Sequence, residues 1–186
     1  MRLISVYPDS YVFEEPHQKV QGKNRLTIAC HGFGHIDGIS QVKMDGQYRN
    51  AVQLALSIKT WTDVDKLHNI RLVSCETANP APNEEYLRIT PDLRRYPPWT
   101  TSFGSQLSLF LPDILVKAYM GKIDSNCSDS PTWNFYTEYG HDATNTALSK
   151  YFKLFKGSTD HYHSVVFLNG RFHKQHYIGQ PLNRQK

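Results

Sequence analysis

The sequence lacks any hydrophobic run long enough to cross a membrane. No window of about 18 predominantly apolar residues occurs in the chain. The opening stretch from Met1 to Tyr7 is too short for the apolar core of a secretory signal, and Pro8 and Asp9 follow it at once. We therefore expect a soluble protein, or one that is exported without a cleavable signal.

Cysteine is scarce, and the number of cysteines is odd. The three cysteines, Cys30, Cys75 and Cys127, show none of the clustering that marks a secreted disulfide framework. This distribution favours a reducing compartment such as the cytoplasm. Cys30 lies in an apolar run and is expected in the core, whereas Cys127 lies in a polar segment and is expected to be exposed.

Charge of either sign is not in strong excess. A net charge of +4 is too small and too dispersed to indicate a nucleic-acid partner. The hydrophobic content of 39% is ordinary for a globular protein, and 186 residues can bury a core without disulfides or metals. We expect one domain over residues 1–186.

Apolar runs in the first half of the chain predict two parallel strands joined by a helix. Residues 3–7 predict a first strand, and the polar residues 8–24 predict a loop. Residues 25–30 and 69–74 are nearly continuous apolar runs, which are typical of buried parallel strands. Apolar residues at helical spacing between them predict a crossover helix: Ala51, Val52, Leu54, Ala55 and Ile58. Together they form a right-handed βαβ unit.

Prolines recur through residues 76–101 and predict a long loop there. Beyond the loop, an apolar stripe predicts a helix over residues 103–118, with Ser102 as its N-cap and Gly121 as its stop. Pro112 lies inside this stripe, so we expect the helix to kink or to divide there.

The C-terminal third predicts a helix followed by a hairpin. The helix is expected over residues 143–156, with Asp142 as its cap. Asn169-Gly170 lies between two β-rich runs, which is the strongest short-range signal for a hairpin.

The expected fold class is therefore α/β. Its centre is a mostly parallel sheet flanked by helices, with a C-terminal antiparallel β-hairpin. Residues 1–24 supply an N-terminal strand and loop, and residues 180–186 form a loose tail.

Two of the predicted strands end on reactive side chains. His31 follows the first apolar run, and Cys75 follows the second. In an open parallel sheet the ligand crevice lies beyond the carboxyl ends of the strands, so the imidazole and the thiol are expected side by side. An imidazole beside a thiol generates a nucleophilic thiolate. Gly32 has no Cβ to block a substrate carbonyl, so the N–H groups of Gly32 and Cys75 are the predicted oxyanion donors.

This order of motifs resembles the caspase-like (clan CD) cysteine peptidases. The motifs are a strand ending in His31-Gly32, a crossover helix, and a strand ending in Ser74-Cys75. They are most similar to the self-processing cysteine peptidase domains of large bacterial toxins. The resemblance covers residues 25–125 and includes the Phe103-Gly104…Leu107 helix and a short strand at Lys122-Ile123-Asp124.

The resemblance implies that His31 and Cys75 form the catalytic dyad and that Gly32 donates to the oxyanion. It also implies activation by inositol hexakisphosphate, bound on a basic surface that includes the terminal hairpin, and no other cofactor. The residues that could bind this activator are Lys153, Lys156, Arg171 and Lys174. A domain of this kind resembles a bacterial effector or toxin fragment that acts in a host cytosol.

His35 is a rival to His31 as the base. It lies four residues beyond the strand, where the chain has turned away, so we favour His31. No acidic residue can be named as the group that orients the imidazole. Asp37 and Glu76 are near the pair in sequence, but charged residues beside loops are usually solvated.

Two further readings concern other kinds of site. Residues 31–34 also look like the oxyanion segment of an α/β-hydrolase, but that fold needs a Gly-x-Ser-x-Gly elbow. The nearest stretch, residues 102–107, lacks the second glycine and a preceding strand, so we reject this reading. Four histidines near the terminal hairpin suggest a metal site but form no closed ligand set: His161, His163, His173 and His176.

The sequence thus favours a cysteine endopeptidase acting on a protein or peptide through a Cys75 thioester, with His31 as base and then acid. The loop over residues 77–101 is expected to line part of the substrate groove with Tyr86, Tyr96 and Trp99. Two alternatives remain open. One is an inactive caspase-like binding module, and the other is an acyltransferase that uses the same dyad.

Overall fold

A seven-stranded mixed sheet forms the centre of the protein. The computed structural model describes residues 1–81, 99–155 and 162–178. With strands numbered along the chain, the spatial order is β1 (Arg2–Tyr7), β2 (Ser10–Pro16), β3 (Asn24–Ala29), β7 (Leu67–Val73), β8 (Leu115–Tyr119), β11 (Tyr162–Leu168) and β12 (Arg171–Ile178).

Smaller elements surround this sheet. A three-stranded antiparallel sheet contains β4 (His31–Ile36), β5 (Ile39–Met44) and β6 (Gln47–Arg49), and a two-stranded one contains β9 (Asp124–Ser125) and β10 (Leu154–Phe155). The helices are α1 (Ala51–Trp61), α2 (Phe103–Phe110) and α3 (Asp129–Tyr151), with short 3-10 turns at Val64–Lys66 and Trp99–Thr101. None of the helices described is long and apolar enough to cross a membrane.

The α/β class is confirmed, but the prediction of a mostly parallel sheet is wrong. Within the described strands, only the central pairs β3–β7 and β7–β8 are parallel. The outer pairs β1–β2, β2–β3, β8–β11 and β11–β12 are antiparallel. Two-residue turns join β1 to β2 and β11 to β12, and such turns can join only antiparallel strands. In the β11–β12 turn, Asn169 and Gly170 both have positive φ, as the predicted Asn-Gly hairpin requires.

The predicted βαβ unit is present. Strands β3 and β7 pair in parallel, and α1 connects them through the small β4–β6 sheet. Asn50 caps α1: its side chain accepts from the Gln53 N–H, and the Gln53 side chain accepts from the Asn50 N–H. The buried face of α1 is the predicted apolar stripe without Val52: Ala51, Leu54, Ala55 and Ile58.

Residues 8–24 contain a strand that the sequence analysis assigned to a loop. Strand β2 buries Tyr11, Val12 and Phe13 almost completely. Polar neighbours obscure this short apolar run, and one of them, Glu14, is itself buried. Its carboxylate accepts hydrogen bonds from Arg2, Asn24 and Thr62, which offset the loss of water.

The single helix predicted over residues 103–118 is two different elements. Ser102 caps α2 as expected, and its hydroxyl accepts from the Ser105 N–H. The helix ends at Phe110, before Pro112. Beyond that break, Leu115–Tyr119 is strand β8, because pairing with β7 and β11 outweighs the helical spacing of its apolar residues.

The last helix begins much earlier than residue 143. Helix α3 starts at Asp129, bends at Gly140, where φ is 83°, and ends at Tyr151. The first half of the helix has no apolar stripe, so that half was not predicted from the sequence. The predicted short strand at residues 122–124 lies slightly later, as β9. Residues 156–161 and 179–186 lie outside the described residues, so the predicted tail does too.

The two faces of the central sheet carry separate cores. One core packs against α1 and α2 and includes Leu26, Ile28, Leu54 and Leu107. The other packs against α3 and includes Phe13, Val73 and Leu148. The carboxyl ends of β3 and β7 therefore emerge between two packed layers.

Candidate active site

Strands β3 and β7 deliver their last residues to the same edge of the sheet. Ala29 is the register partner of Val73, and the Cys30 N–H donates to the Val73 carbonyl at 3.2 Å. His31 and Cys75 are each two residues beyond this registered pair. The structure thus brings together the two chain segments that the sequence analysis placed at one edge.

The segment after His31 packs directly on the cysteine turn. A Cβ on Gly32 would lie 1.7 Å from the carbonyl oxygen of Cys75 and 2.8 Å from the Ser74 hydroxyl. Both distances are far below van der Waals contact, so only glycine fits at this position. From the sequence, Gly32 was expected to allow a close approach to a substrate carbonyl. In the structure, the group that Gly32 packs against most closely is the backbone carbonyl of Cys75.

His31 is paired with a carboxylate that the sequence analysis missed. Its Nε2 lies 3.1 Å from Oδ2 of Asp129, and about half of the His31 side chain is exposed. Asp129 is the first residue of α3, far along the chain from His31. An acidic residue at a helix start is common and gives no sign of its partner, so no sequence motif could have identified it.

The Asp129 carboxyl has an unusual pKa. Burial raises it from 3.8 to about 6, the charge on His31 offsets part of that rise, and the charges of Asp9 and Asp124 add to it. The carboxyl is therefore ionised at neutral pH and protonated below about pH 6. With Nε2–H donating to this carboxylate, Nδ1 of His31 becomes the proton-accepting nitrogen. No other described residue hydrogen-bonds to Nδ1.

Cys75 is half-buried in a turn held by several hydrogen bonds. Its thiol donates to the carbonyl of Ile123 at 3.6 Å. The Thr77 hydroxyl donates to the Ser74 carbonyl at 3.0 Å, and the Gly104 N–H donates to the Thr77 carbonyl at 2.8 Å. Among the described residues none accepts a hydrogen bond from the Cys75 N–H, which leaves that donor available to an oxyanion.

The remaining cysteines are Cys30 and Cys127. Cys30 is buried, as predicted, and burial raises the pKa of its thiol to about 12. Cys127 was expected to be exposed, and this is wrong. It is half-buried because it packs against the core beneath α3, and its carbonyl accepts the Tyr11 hydroxyl at 2.7 Å. Burial raises the pKa of the Cys127 thiol as well. All three cysteines are free thiols.

The rival base His35 lies on β4. Its Nε2 is 3.0 Å from the carbonyl oxygen of Thr101, so that nitrogen is already engaged with the 3-10 turn. Asp37 is exposed in the β4–β5 turn. Glu76, by contrast, is half-buried and accepts from the Gly34 N–H at 3.1 Å. Glu76 thus hydrogen-bonds to the strand that begins with His31.

Among the residues predicted to line a substrate groove, only Trp99 is described. Its ring stacks on Phe172 at 5.7 Å and meets Phe167 edge-on at 6.2 Å, so Trp99 packs on the terminal hairpin. Tyr86 and Tyr96 lie outside the described residues.

The predicted activator residues are only partly assembled. In register, Lys174 faces Val166 and Arg171 faces Leu168, so both project from the same face of the sheet. Lys117 is the partner of Val166 on the other side and joins them on this face. We call Lys117, Arg171 and Lys174 the basic face. Lys153 is exposed just beyond α3, and Lys156 lies outside the described residues.

Three of the four histidines near the hairpin are described: His163, His173 and His176. His163 is buried, with Nε2 at 3.4 Å from Gln175, whereas His173 and His176 are exposed. His161 is not among the described residues. Within the described residues, no group of three or more histidine, cysteine or acidic side chains is placed to hold a metal.

Comparisons of the chain with protein-family models, with curated proteins and with solved structures each found no match.

Proposed function

We propose that this protein is a caspase-like cysteine endopeptidase that hydrolyses peptide bonds through a Cys75 thioester. One observation carries the proposal: at the shared edge of β3 and β7, the backbone of Gly32 packs on Cys75, and the neighbouring His31 is paired with Asp129. A thiol, an oriented imidazole and an unengaged backbone N–H are the groups that acyl transfer needs.

In the first half of the reaction, Nδ1 of His31 takes the proton from the Cys75 thiol. The thiolate sulfur bonds to the substrate carbonyl carbon, and the N–H of Cys75 donates to the oxyanion, with the N–H of Gly32 as the proposed second donor. The carbon–nitrogen bond then breaks, and His31 passes its proton to the leaving amine.

In the second half, water replaces the amine. His31 takes a proton from water as the oxygen attacks the thioester carbonyl carbon. The carbon–sulfur bond breaks, the carboxylic acid product leaves, and the proton returns to the Cys75 sulfur. An amine or hydroxyl in place of water would make the enzyme an acyltransferase, which is our second proposed reaction for the same dyad.

Asp129 acts as a positioning residue in this scheme. Its carboxylate accepts a hydrogen bond from Nε2–H of His31, with Nε2 and Oδ2 3.1 Å apart. This bond fixes the tautomer and the orientation of the ring. Its charge also favours the imidazolium that forms when His31 takes the thiol proton. The position of Asp129 at the start of α3 allows two rigid elements to hold the imidazole.

Three free thiols support a reducing compartment, such as the cytoplasm or a host cytosol entered by a translocated bacterial effector or toxin. The basic face supports inositol hexakisphosphate as an activator, because neighbouring lysine and arginine side chains bind phosphate groups. The alternative is an inactive caspase-like module that only binds its protein partner.

A cleavage assay tests the proposal. Wild type, Cys75→Ala, His31→Ala and the control Cys127→Ala are incubated with a peptide library and with cell lysate, with and without inositol hexakisphosphate. New protein termini are then read by mass spectrometry. We expect cleavage by wild type and Cys127→Ala, and none by the two dyad variants. Cleavage that survives in either dyad variant contradicts the assignment, and no cleavage by wild type favours the binding module.

A further inference from the structure

A second carboxylate lies directly beside the proposed nucleophile. Glu76 follows Cys75 and has a φ of 58°, a left-handed conformation that is uncommon for residues other than glycine. Two backbone hydrogen bonds hold it there: the Glu76 N–H donates to the Gly121 carbonyl at 2.7 Å, and the Glu76 carbonyl accepts from the Asn79 N–H at 3.0 Å. The turn therefore fixes the direction in which the Glu76 side chain leaves the chain.

The carboxylate is held against the strand that begins with His31. Oε2 of Glu76 accepts from the Gly34 N–H at 3.1 Å, and a Cβ on Gly34 would lie 2.7 Å from the same oxygen. The side chain is half-buried, yet none of the described lysine or arginine side chains forms an ion pair with it. A partly buried carboxylate with one oxygen engaged and no cationic partner can bind a cationic group through its other oxygen.

We propose that Glu76 binds a positively charged P1 side chain, so that the enzyme cleaves after lysine or arginine. This inference rests on the proposed peptidase function. The P1 side chain branches from the carbon next to the carbonyl that Cys75 attacks, so it is the substrate side chain nearest to the sulfur. Glu76, the next residue after Cys75, is fixed on this same edge.

The surrounding charge supports the same choice. Asp124 and Asp9 are each close enough to Asp129 for their charges to act on it, and Asp129 is paired with His31. These carboxylates place negative charge beside His31. An acidic P1 side chain would meet repulsion there, whereas lysine or arginine would meet attraction.

The test compares substrates that differ only at P1. Peptides with arginine, lysine, glutamine, leucine or aspartate at P1 are offered to wild type, Glu76→Gln and the control Asp37→Asn. The Gln side chain can still accept from the Gly34 N–H, so the turn is preserved while the charge is lost. Asp37 is an exposed acidic residue with a φ of 50°, which asparagine tolerates.

We expect wild type and Asp37→Asn to prefer arginine or lysine, and Glu76→Gln to lose that preference by about 10- to 100-fold in kcat/KM. Wild-type cleavage without a basic preference overturns the inference. A preference for basic P1 residues that survives in Glu76→Gln also overturns it. Cleavage restricted to peptides with a free N-terminal amine beside the scissile bond overturns it as well.

A second readout separates this inference from the peptidase proposal. Cys75 is labelled with a trimethylammonium-bearing and a sulfonate-bearing methanethiosulfonate, and modification is followed on the Cys75 peptide. We expect faster labelling by the cation in wild type and a several-fold smaller cation-to-anion ratio in Glu76→Gln. This result without any peptide cleavage would reject the peptidase but keep a cation-binding carboxylate beside Cys75. An unchanged ratio would reject the role of Glu76.

Discussion

The imidazole of His31 and the carboxylate of Asp129 are in hydrogen-bonding contact, with Nε2 and Oδ2 3.1 Å apart. The pair joins the first residue of β4, just beyond the central strand β3, to the first residue of helix α3, which is distant in the chain. Because burial works against the charged carboxylate, this arrangement costs folding free energy and is expected to serve the site rather than the fold.

Replacing Asp129 by asparagine should impair catalysis more than binding. The amide has no charge to stabilise the imidazolium, so we expect kcat to fall by more than about 10-fold with little change in KM. The upper limit is the roughly 10,000-fold loss seen when the aspartate of a Ser–His–Asp triad becomes asparagine. Asp124→Asn, at an exposed position on β9, is the matched control. Equal effects of the two variants would mean that Asp129 contributes only to the general field.

The same substitution should stabilise the fold at neutral pH. The pKa of Asp129 rises from 3.8 to about 6 in the folded state, so stability from this group is present below pH 3.8 and is lost as pH rises through 6. The loss is at most about 3 kcal/mol. Thermal unfolding should show a higher Tm for Asp129→Asn at about pH 7.5 and no difference at about pH 3.5. A lower Tm at neutral pH would contradict this account.

Gly32→Ala should disable the site without a chemical change to the dyad. The new methyl group would overlap the Cys75 carbonyl, so the cysteine turn has to move. Because displacements of about 1 Å cost roughly 100-fold in rate, we expect a loss of that order in kcat/KM. Gly22→Asn is the control, since that position is open and has a φ of 73°. Full activity in Gly32→Ala would show that this packing is not needed.

The three thiols should react with iodoacetamide in a fixed order. Cys75 should be alkylated first, because His31 assists its ionisation, and Cys127 later because burial raises its pKa. Cys30 should stay unmodified in the folded protein, since burial raises its pKa to about 12. Peptide mapping measures the three rates, and His31→Ala should slow only Cys75. Cys127 reacting as fast as Cys75 would contradict the proposed activation.

The basic face can be tested with inositol hexakisphosphate itself. Arg171→Glu with Lys174→Glu should weaken binding by at least about 10-fold, because charge-assisted hydrogen bonds to phosphate are lost. Isothermal titration calorimetry measures the change, and Lys19→Glu, in an exposed loop, is the control. Equal affinities for all three proteins would place any binding of this polyphosphate elsewhere.

The sequence predicted the elements whose structure is determined by neighbouring residues in the chain or by burial on both faces of a strand. The strands before His31 and Cys75, the crossover helix and the Asn169-Gly170 hairpin are all present. Each carries its own signal, either a continuous apolar run, a helical spacing or a turn that needs positive φ.

The elements that were predicted wrongly from the sequence are those whose structure depends on tertiary partners. Strand β8 has apolar residues at helical spacing, and only its place between β7 and β11 makes it a strand. Strand β2 is a short apolar run with polar neighbours, and one of them, Glu14, is buried with hydrogen-bond partners that only the fold supplies. For the site, the sequence predicted the shared edge but not Asp129, because helix α3 begins without an apolar stripe.

The most direct test of the central claim is to trap the acyl-enzyme. A fluorogenic ester or peptide is mixed with excess enzyme, the reaction is quenched with acid, and intact mass and peptide maps are recorded. The account predicts a thioester adduct on the Cys75 peptide that hydroxylamine removes, and no adduct in Cys75→Ala. Turnover by wild type with no adduct on Cys75, or continued turnover by Cys75→Ala, would contradict it.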